Sequence, residues 1–379
     1  MQYCVRCVMP NTRPGIKFNE DGVCYPCLNY EKRKEVDWTA RWSELEQLAD
    51  KYRGSNGDYY DCIVTVSSGK DSHFQVHTMK ERLGLNPLLV SIDNFSWTET
   101  GRLNAQNMSE VFGCDLHLLS LSRKIAKKMV RKAFEYQLIP MWYWDRAVYT
   151  YPLQVAIRFG IPLIVYGENI SYEYGGAQTE ETFSAIDQIN NDAAKPVPWN
   201  VWLDDEIQMK DLNPLINPSQ DEIEASQLEP IYLSYFVPWD GYAHFEIAQK
   251  FGFKSLEEEW MREGLSENYD QIDTIGYNVH PWFKFIKFGH QHNTDVLSLW
   301  VRSGRMTREE AVQLVKEREH VLDRRMLEDF LEFTGYTEEE FWGVVDRFAN
   351  REILEKQDGE WRLKNAVVRA LERGGKVNS

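Results

Sequence analysis

Ser67-Ser68-Gly69-Lys70-Asp71-Ser72 follow directly on an apolar run, Cys62-Ile63-Val64-Thr65-Val66. The chemistry such a turn suits is anion binding. Serine and glycine leave backbone N–H groups open to a phosphate, and Lys70 adds a positive charge. His73, Phe74, Val76, His77, Met79 and Leu83 continue at helical spacing, so the turn ends at a helix N-terminus whose free N–H groups and dipole favour negative charge. Gly84 marks the end of that helix. The β-branched run ahead of the turn suits a buried parallel strand. Neither G-x-x-x-x-G-K-[ST] nor G-x-G-x-x-G occurs at this turn, which excludes a Walker kinase and a dinucleotide fold.

The turn resembles the PP-loop, S-G-G-x-D-S, of the ATP pyrophosphatases, which cleave ATP to AMP and pyrophosphate. Ser68 stands where that pattern has its first glycine. If the backbone there takes positive φ, serine is strained and ATP affinity falls; with negative φ the exchange costs little.

A second chemical signal opens the chain. Cys4 and Cys7, then Cys24 and Cys27, form two C-x2-C knuckles separated by sixteen residues, within zinc-ribbon spacing. Four thiolates supply the closed tetrahedral shell of a structural Zn²⁺, with no position left for substrate. Pro10 to Gly22, between the knuckles, needs the metal to hold its shape. No leader-like segment is expected at Met1 and no further cysteine pair offers disulfides, so a reducing, cytoplasmic location is expected.

The elements that must position these residues alternate. A helix is expected from Thr39 to Tyr52, strands at 61–66, 88–92, 115–121 and 163–166, and helices at 70–83, about 99–111 and from 122 onward. This βαβα order with crossover-length links gives a parallel sheet with helices on both faces, where ligands sit beyond the strands' carboxyl ends. Three strand ends carry suitable groups: Ser67 to Ser72, then Asp93 and Asn94, then Gly167, Glu168 and Asn169. Lys70 and the loop amides would hold ATP phosphates, with Ser67, Ser68, Gly69, Ser72 and Gly167 around them. Asp71 would help place Mg²⁺ or cap its helix. Asp93 would meet ribose or adenine edges, or make an Asx turn. Glu168 would bind metal or act as a general base, or be merely solvated.

The chain has 379 residues and a formal charge of −16, with 59 acidic against 43 basic residues, which argues against tRNA or another nucleic acid as partner. No apolar run is long enough to span a membrane. Aromatics are abundant, at 13 Trp, 19 Tyr and 18 Phe, enough for a core with some left to stack on a base or sugar. From about 170 to 260 periodicity gives way to a proline-, tryptophan- and acid-rich insertion, in which Tyr172, Tyr174, Gly175 and Gly176 read as a lid or substrate wall and Tyr232 to Asp240 as packing first and substrate stacking second. Between 282 and 305, Lys284, Lys287, Arg302 and Arg305 concentrate positive charge suited to the diphosphate of a nucleotide sugar. His290 and His292 lack a third partner for a metal. Capping boxes at Thr307–Glu310 and Thr337–Glu340 begin what reads as an all-helical tail. The expected division is a zinc-binding Cys4 module at 1–36, a nucleotide domain at 37–305 containing the insertion, and a helical region at 306–379.

C-V-R-C-V-M-P-N-T-R-P-G-I-K-F-N-E-D-G-V-C-Y-P-C, S-S-G-K-D-S, Y-G-E-N, Y-L-S-Y-F-V-P-W-D, K-F-G-x-x-x-N-T-D and R-S-G-R-M-T-R-E-E-A together resemble the N-acetyl sugar amidotransferases of bacterial surface-polysaccharide (LPS O-antigen) and flagellar-glycan pathways. The resemblance covers most of the chain. It implies a PP-loop (adenine nucleotide alpha hydrolase-like) α/β fold, ATP and Mg²⁺ as cofactors beside structural Zn²⁺, and conversion of an acetamido group on a nucleotide-activated, UDP-linked amino sugar into an acetamidino group. Such chemistry needs ammonia. Cys62 and Cys114 are the only cysteines outside the knuckles and both suit packing rather than glutaminase catalysis, so a separate glutaminase partner or free ammonia is expected to supply it. The alternatives are a tRNA thiolase or lysidine-type modifier, and a non-catalytic zinc scaffold.

Overall fold

Strand β1 (Cys62–Thr65) lies in the middle of a five-stranded sheet, and Cys62, Ile63 and Val64 have no exposed surface. In the computed structural model, which describes residues 1–94, 96–177, 180–187 and 198–376, it is followed by β2 (Pro87–Ile92), β3 (Leu116–Leu119), β4 (Leu163–Tyr166) and β5 (Glu229–Tyr232). All neighbours are parallel and the spatial order is β3-β2-β1-β4-β5. The expected α/β sheet is therefore present. The register places Cys62 opposite Pro87 and Ile63 opposite Ile164.

Helices cover both faces, because successive strand residues point to opposite sides. Ile63 and Ile164 enter the larger core with Phe134, Trp142 and Phe283, while Val64 and Val165 enter the smaller one with Leu45, Met79 and Phe236. The helices at Trp38–Tyr52 and Glu99–Phe112 fall where expected. The run from Lys70 is α-helical to Val76 and widens into a π-turn over His77–Arg82 before Gly84, at φ 65°, ends it.

Two features differ from expectation. β5 was not legible, since Pro230 interrupts a four-residue run; at an edge position proline is tolerated. The C-terminal region is not all helix: after Arg308–Arg318, Arg324–Thr334 and Glu338–Phe348, a hairpin joins Leu354–Gln357 to Glu360–Leu363 ahead of Asn365–Arg373. Both expected capping boxes are formed. This region is tied to the opening of the chain. Gln2–Tyr3 pairs antiparallel with Gly375–Lys376, and Arg308 donates to the carbonyls of Cys4 and Cys7 at 3.4 and 3.2 Å. Parts of the aromatic-rich insertion, 178–179 and 188–197, lie outside the described residues.

Candidate active site at the sheet switch point

The strand order reverses direction between β1 and β4, so their following turns diverge and leave a crevice at the carboxyl ends. Ser67–Ser72 borders it on one side and Gly167–Glu168 on the other. The loop is drawn tight by the Ser67 amide, which donates to Ser72 Oγ at 2.9 Å. Its left-handed residue is Ser68, at φ 71°, whereas Gly69 is extended at φ −74°. Positive φ strains any residue with a Cβ, so the departure from the glycine pattern falls at the one position where it costs. The Ser68 hydroxyl is buried and has no partner among the described residues, so it offers nothing in return.

Lys70 does not lie free in the crevice. Its Nζ is buried, 2.7 Å from Asp71 Oδ2 and 2.9 Å from Asp270 Oδ1. Burial opposes the ammonium charge, but Asp270 and Asp71 outweigh it and hold Lys70 well above the ordinary lysine range. The other oxygen of Asp71 accepts from His244 Nδ1 at 2.7 Å. Burial would raise the Asp71 carboxyl, yet Lys70 and His244 keep it below the usual carboxylate range. His244 is itself clamped, stacked on Phe74 with ring centroids 3.9 Å apart and edge-on to Trp239 at 4.5 Å. Gly241 permits the approach, because a Cβ there would stand 3.1 Å from Lys70 Cε.

Glu168 is half-buried at the end of β4. Burial, with the Asp71 carboxylate next, pushes it up to about 8. Tyr174 faces the same charges: burial, then Glu168 and Asp270, raise its phenol well above the normal value. Gly167 packs tightly, with a hypothetical Cβ 3.1 Å from both Gln75 Nε2 and the Trp239 ring. Asp93 is held at the end of β2, accepting from Trp97 Nε1 at 2.6 Å and Ser120 Oγ at 2.7 Å. A cleft of about 650 Å³ runs between Ser68 and Asp93, walled by Trp97, Gln106 and Arg123. The structure thus brings Ser67–Ser72, Asp93, Gly167, Glu168 and Tyr174 to one crevice. It adds His244 and Asp270, which carry no motif in the sequence.

The four cations of 284–305 each have a partner within the fold. Lys284 Nζ binds Asp295 Oδ2 at 2.7 Å, and Arg305 Nη1 binds Asp240 Oδ2 at 2.8 Å. Lys287 caps a helix, donating to the carbonyls of Gln137 and Leu138 at 3.2 Å, and burial lowers it to about 8. Arg302 donates to the Glu173 carbonyl at 3.1 Å and lies 4.0 Å from Cys7 Sγ. Each of the four is thus engaged by a different local partner, two by carboxylates and two by backbone carbonyls.

Cys4, Cys7, Cys24 and Cys27 converge as expected. Their sulfurs lie within 4.8 Å of one another, at 3.9 Å for Cys4–Cys27 and 3.7 Å for Cys7–Cys24. A tetrahedron with Zn–S bonds of about 2.3 Å has edges of about 3.8 Å, so the donor set fits zinc. Amides of Arg6, Cys24 and Met9 point at the sulfurs.

Residues 239–368 match the family described as LPS biosynthesis protein WbpG-like, C-terminal domain. This stretch is similar to WbpG-like C-terminal domains. It supplies Trp239, Gly241, His244 and Asp270, so the matched segment builds the wall facing the loop while the loop itself lies outside it. An uncharacterised protein of Methanocaldococcus jannaschii, MJ1599, is 30% identical over 125 residues, which make up 31% of this chain and 42% of that protein. The match spans less than half of that relative's length. Among solved structures, NMN synthetase from Francisella tularensis is similar at 11% identity over 81% of this chain and 96% of its own, with a TM-score of 0.33. A predicted subunit of tRNA methyltransferase from M. jannaschii is similar at 18% identity over 55% and 81%, with a TM-score of 0.29. Among the described residues, no helix is long and apolar enough to cross a membrane.

Proposed function

We propose that the chain is an ATP-dependent amidotransferase of lipopolysaccharide biosynthesis, converting the acetamido group of a nucleotide-activated amino sugar into an acetamidino group. The observation that carries this reading is the Ser67–Ser72 loop at the switch point, continuous through Ser68 with a cleft large enough for a nucleoside. The WbpG-like segment on its opposite wall supports the pathway.

An amide carbonyl is a poor electrophile with a poor leaving oxygen. In the proposed reaction that oxygen attacks the α-phosphorus of ATP and pyrophosphate departs, leaving an O-adenylated imidate. Ammonia then adds to the imidate carbon, the C–O bond breaks, and AMP leaves with the electron pair. The loop amides and Lys70 stabilise the departing pyrophosphate, for which the phosphates must displace Asp270 from Lys70. Asp71 and Asp270 would be the carboxylates to hold Mg²⁺. Glu168, with its carboxyl near 8, is matched to taking a proton from ammonium. Cys62 and Cys114 are buried and burial raises both thiols, to beyond the ordinary range for Cys62 and to about 11 for Cys114, which supports an external source of ammonia.

The test measures pyrophosphate release from ATP with a UDP-linked N-acetylhexosamine, with tRNA, and with neither, in the presence of ammonium or glutamine. Release that needs both the sugar and ammonium is expected. Release with tRNA, or glutamine-dependent turnover by the isolated chain, would overturn the proposal.

A further inference from the structure

His244 reaches the phosphate loop from the matched segment and is used by none of the steps above. It lies on the helix Gly241–Lys250, which Asp240 caps by accepting from the Tyr242 and Ala243 amides at 2.9 and 3.1 Å. Arg305 Nη1 in turn holds Asp240 Oδ2 at 2.8 Å, so the start of the helix is pinned. Aromatic rings fix the imidazole. Phe74, from the helix that follows the loop, stacks on it with planes 14° apart, and Trp239, packed against Gly167 at the end of β4, meets it edge-on at 76°. The ring so held places Nδ1 2.7 Å from Asp71 Oδ1.

The surroundings of the two ring nitrogens assign the proton. Nδ1 meets a carboxylate, which only accepts, whereas Nε2 is buried with no partner among the described residues. A proton on Nε2 would be a buried donor without an acceptor, so the tautomer is Nδ1–H and His244 donates to Asp71.

Exposure separates the carboxylate from its supports. Asp71 keeps 26% of its side-chain surface open, against 2% for His244 and 4% for Lys70. Asp71 is thus a reachable carboxylate backed by two shielded donors. One oxygen accepts from each donor, which leaves both oxygens a further lone pair for a cation. The two supports are not equivalent. Lys70 is shared with Asp270 at 2.9 Å and is the group that phosphates would recruit, whereas the His244 ring has Asp71 as its one hydrogen-bonding partner among the described residues. When Lys70 turns to a phosphate, His244 is the support that remains.

We propose that His244 is the positioning residue for Asp71, holding the carboxylate so that its open side meets the divalent cation that accompanies the nucleotide phosphates. This rests on the nucleotide reading of the loop and not on the identity of the sugar. His244 acts only through Asp71.

The experiment uses the full, zinc-loaded chain, the variants His244→Phe, His244→Asn and Asp71→Asn, and the double variant combining His244→Phe with Asp71→Asn. Phenylalanine keeps the stack on Phe74 and removes the donor; asparagine loses the ring and keeps an amide donor near the place of Nδ1. Calorimetry measures affinity for α,β-methylene ATP with magnesium and in magnesium-free buffer, and the ratio of the two dissociation constants is the magnesium enhancement. His244→Phe is expected to cut that enhancement about 10-fold or more, with magnesium-free affinity within about twofold of wild type. His244→Asn should stay within about threefold of the wild-type enhancement. In the Asp71→Asn background, His244→Phe should change nothing further. Wild-type enhancement in His244→Phe, equal loss in both histidine variants, or a further loss in the Asp71→Asn background would assign His244 to packing and overturn the proposal. A wild type without magnesium enhancement overturns it as well. Pyrophosphate release with UDP-N-acetylglucosamine is followed separately: its absence beside the expected binding pattern sinks the amidotransferase reading and leaves the role of His244 standing.

Discussion

Arg13 Nη1 lies 2.5 Å from Asp295 Oδ1, joining the loop between the cysteine knuckles to a helix 282 residues further along. The same guanidinium donates through Nε to the Gly175 carbonyl at 2.9 Å, next to Tyr174, and Lys284 holds the other carboxylate oxygen of Asp295. Burial alone would raise Asp295, but Arg13 and Lys284 keep it below the carboxylate range. The pair thus locks the cysteine module onto the turn that walls the crevice. Arg13→Met and Asp295→Asn in a double-mutant cycle should show a coupling of about 2 kcal/mol in urea unfolding. A coupling near zero would remove the lock.

Metal removal should act on the same turn. Asn29 Nδ2 donates to the Tyr172 carbonyl at 3.1 Å, and a Cβ at Gly175 would stand 2.8 Å from Ile16, so the turn is seated directly on the module. One zinc per chain is expected by elemental analysis, and Cys24→Ser or chelation should raise hydrogen exchange at residues 171–176. Unchanged exchange in the zinc-free chain would refute the link.

Ser68→Gly should relieve the left-handed strain at φ 71° without losing a hydrogen bond. The gain is about 1 kcal/mol in stability, with nucleotide bound at least as tightly. Weaker calorimetric affinity in the glycine variant would mean that the serine hydroxyl itself meets the ligand.

Lys70→Met removes the one cation between Asp71 and Asp270. Loss of at least about 100-fold in pyrophosphate release is expected, equivalent to about 2.7 kcal/mol. Stability at neutral pH should fall by about 3 kcal/mol, because two carboxylates are left facing each other in a buried site. Wild-type turnover in this variant would exclude the loop from catalysis.

Glu168 titrates near 8 in the folded chain, against about 4.3 unfolded. A carboxyl that keeps its proton longer when folded contributes fully below the unfolded value and loses that contribution as pH rises towards 8. Asp145, near 7, acts in the same direction. Without nucleotide, stability should therefore decline between pH 5 and 8. Glu168→Gln should flatten the decline and be more stable by about 2 kcal/mol at pH 8. Parallel pH profiles of denaturation midpoint for the two proteins would contradict this.

The loop, the four cysteines and four of the five strands follow from local sequence, because a phosphate cradle, a knuckle and a buried strand are each written in consecutive residues. Pro230 hid the fifth strand, since the tolerance of an edge for proline is a property of the assembled sheet. The positive φ of Ser68 could be posed as a question from its place in the motif and answered only by the backbone path.

His244 and Asp270 were beyond reach for another reason. Their roles come from contacts with Asp71 and Lys70 across about 170 to 200 residues, and nothing within either segment encodes a partner so distant. For Lys284, Lys287, Arg302 and Arg305 the sequence likewise could not show the local partners that hold each of them. Sequence by itself determined which chemistry is present and which strand ends carry it. Tertiary structure alone decided which charges meet, because burial and pairing between remote segments set whether a cation stays available to a ligand or is spent on the fold.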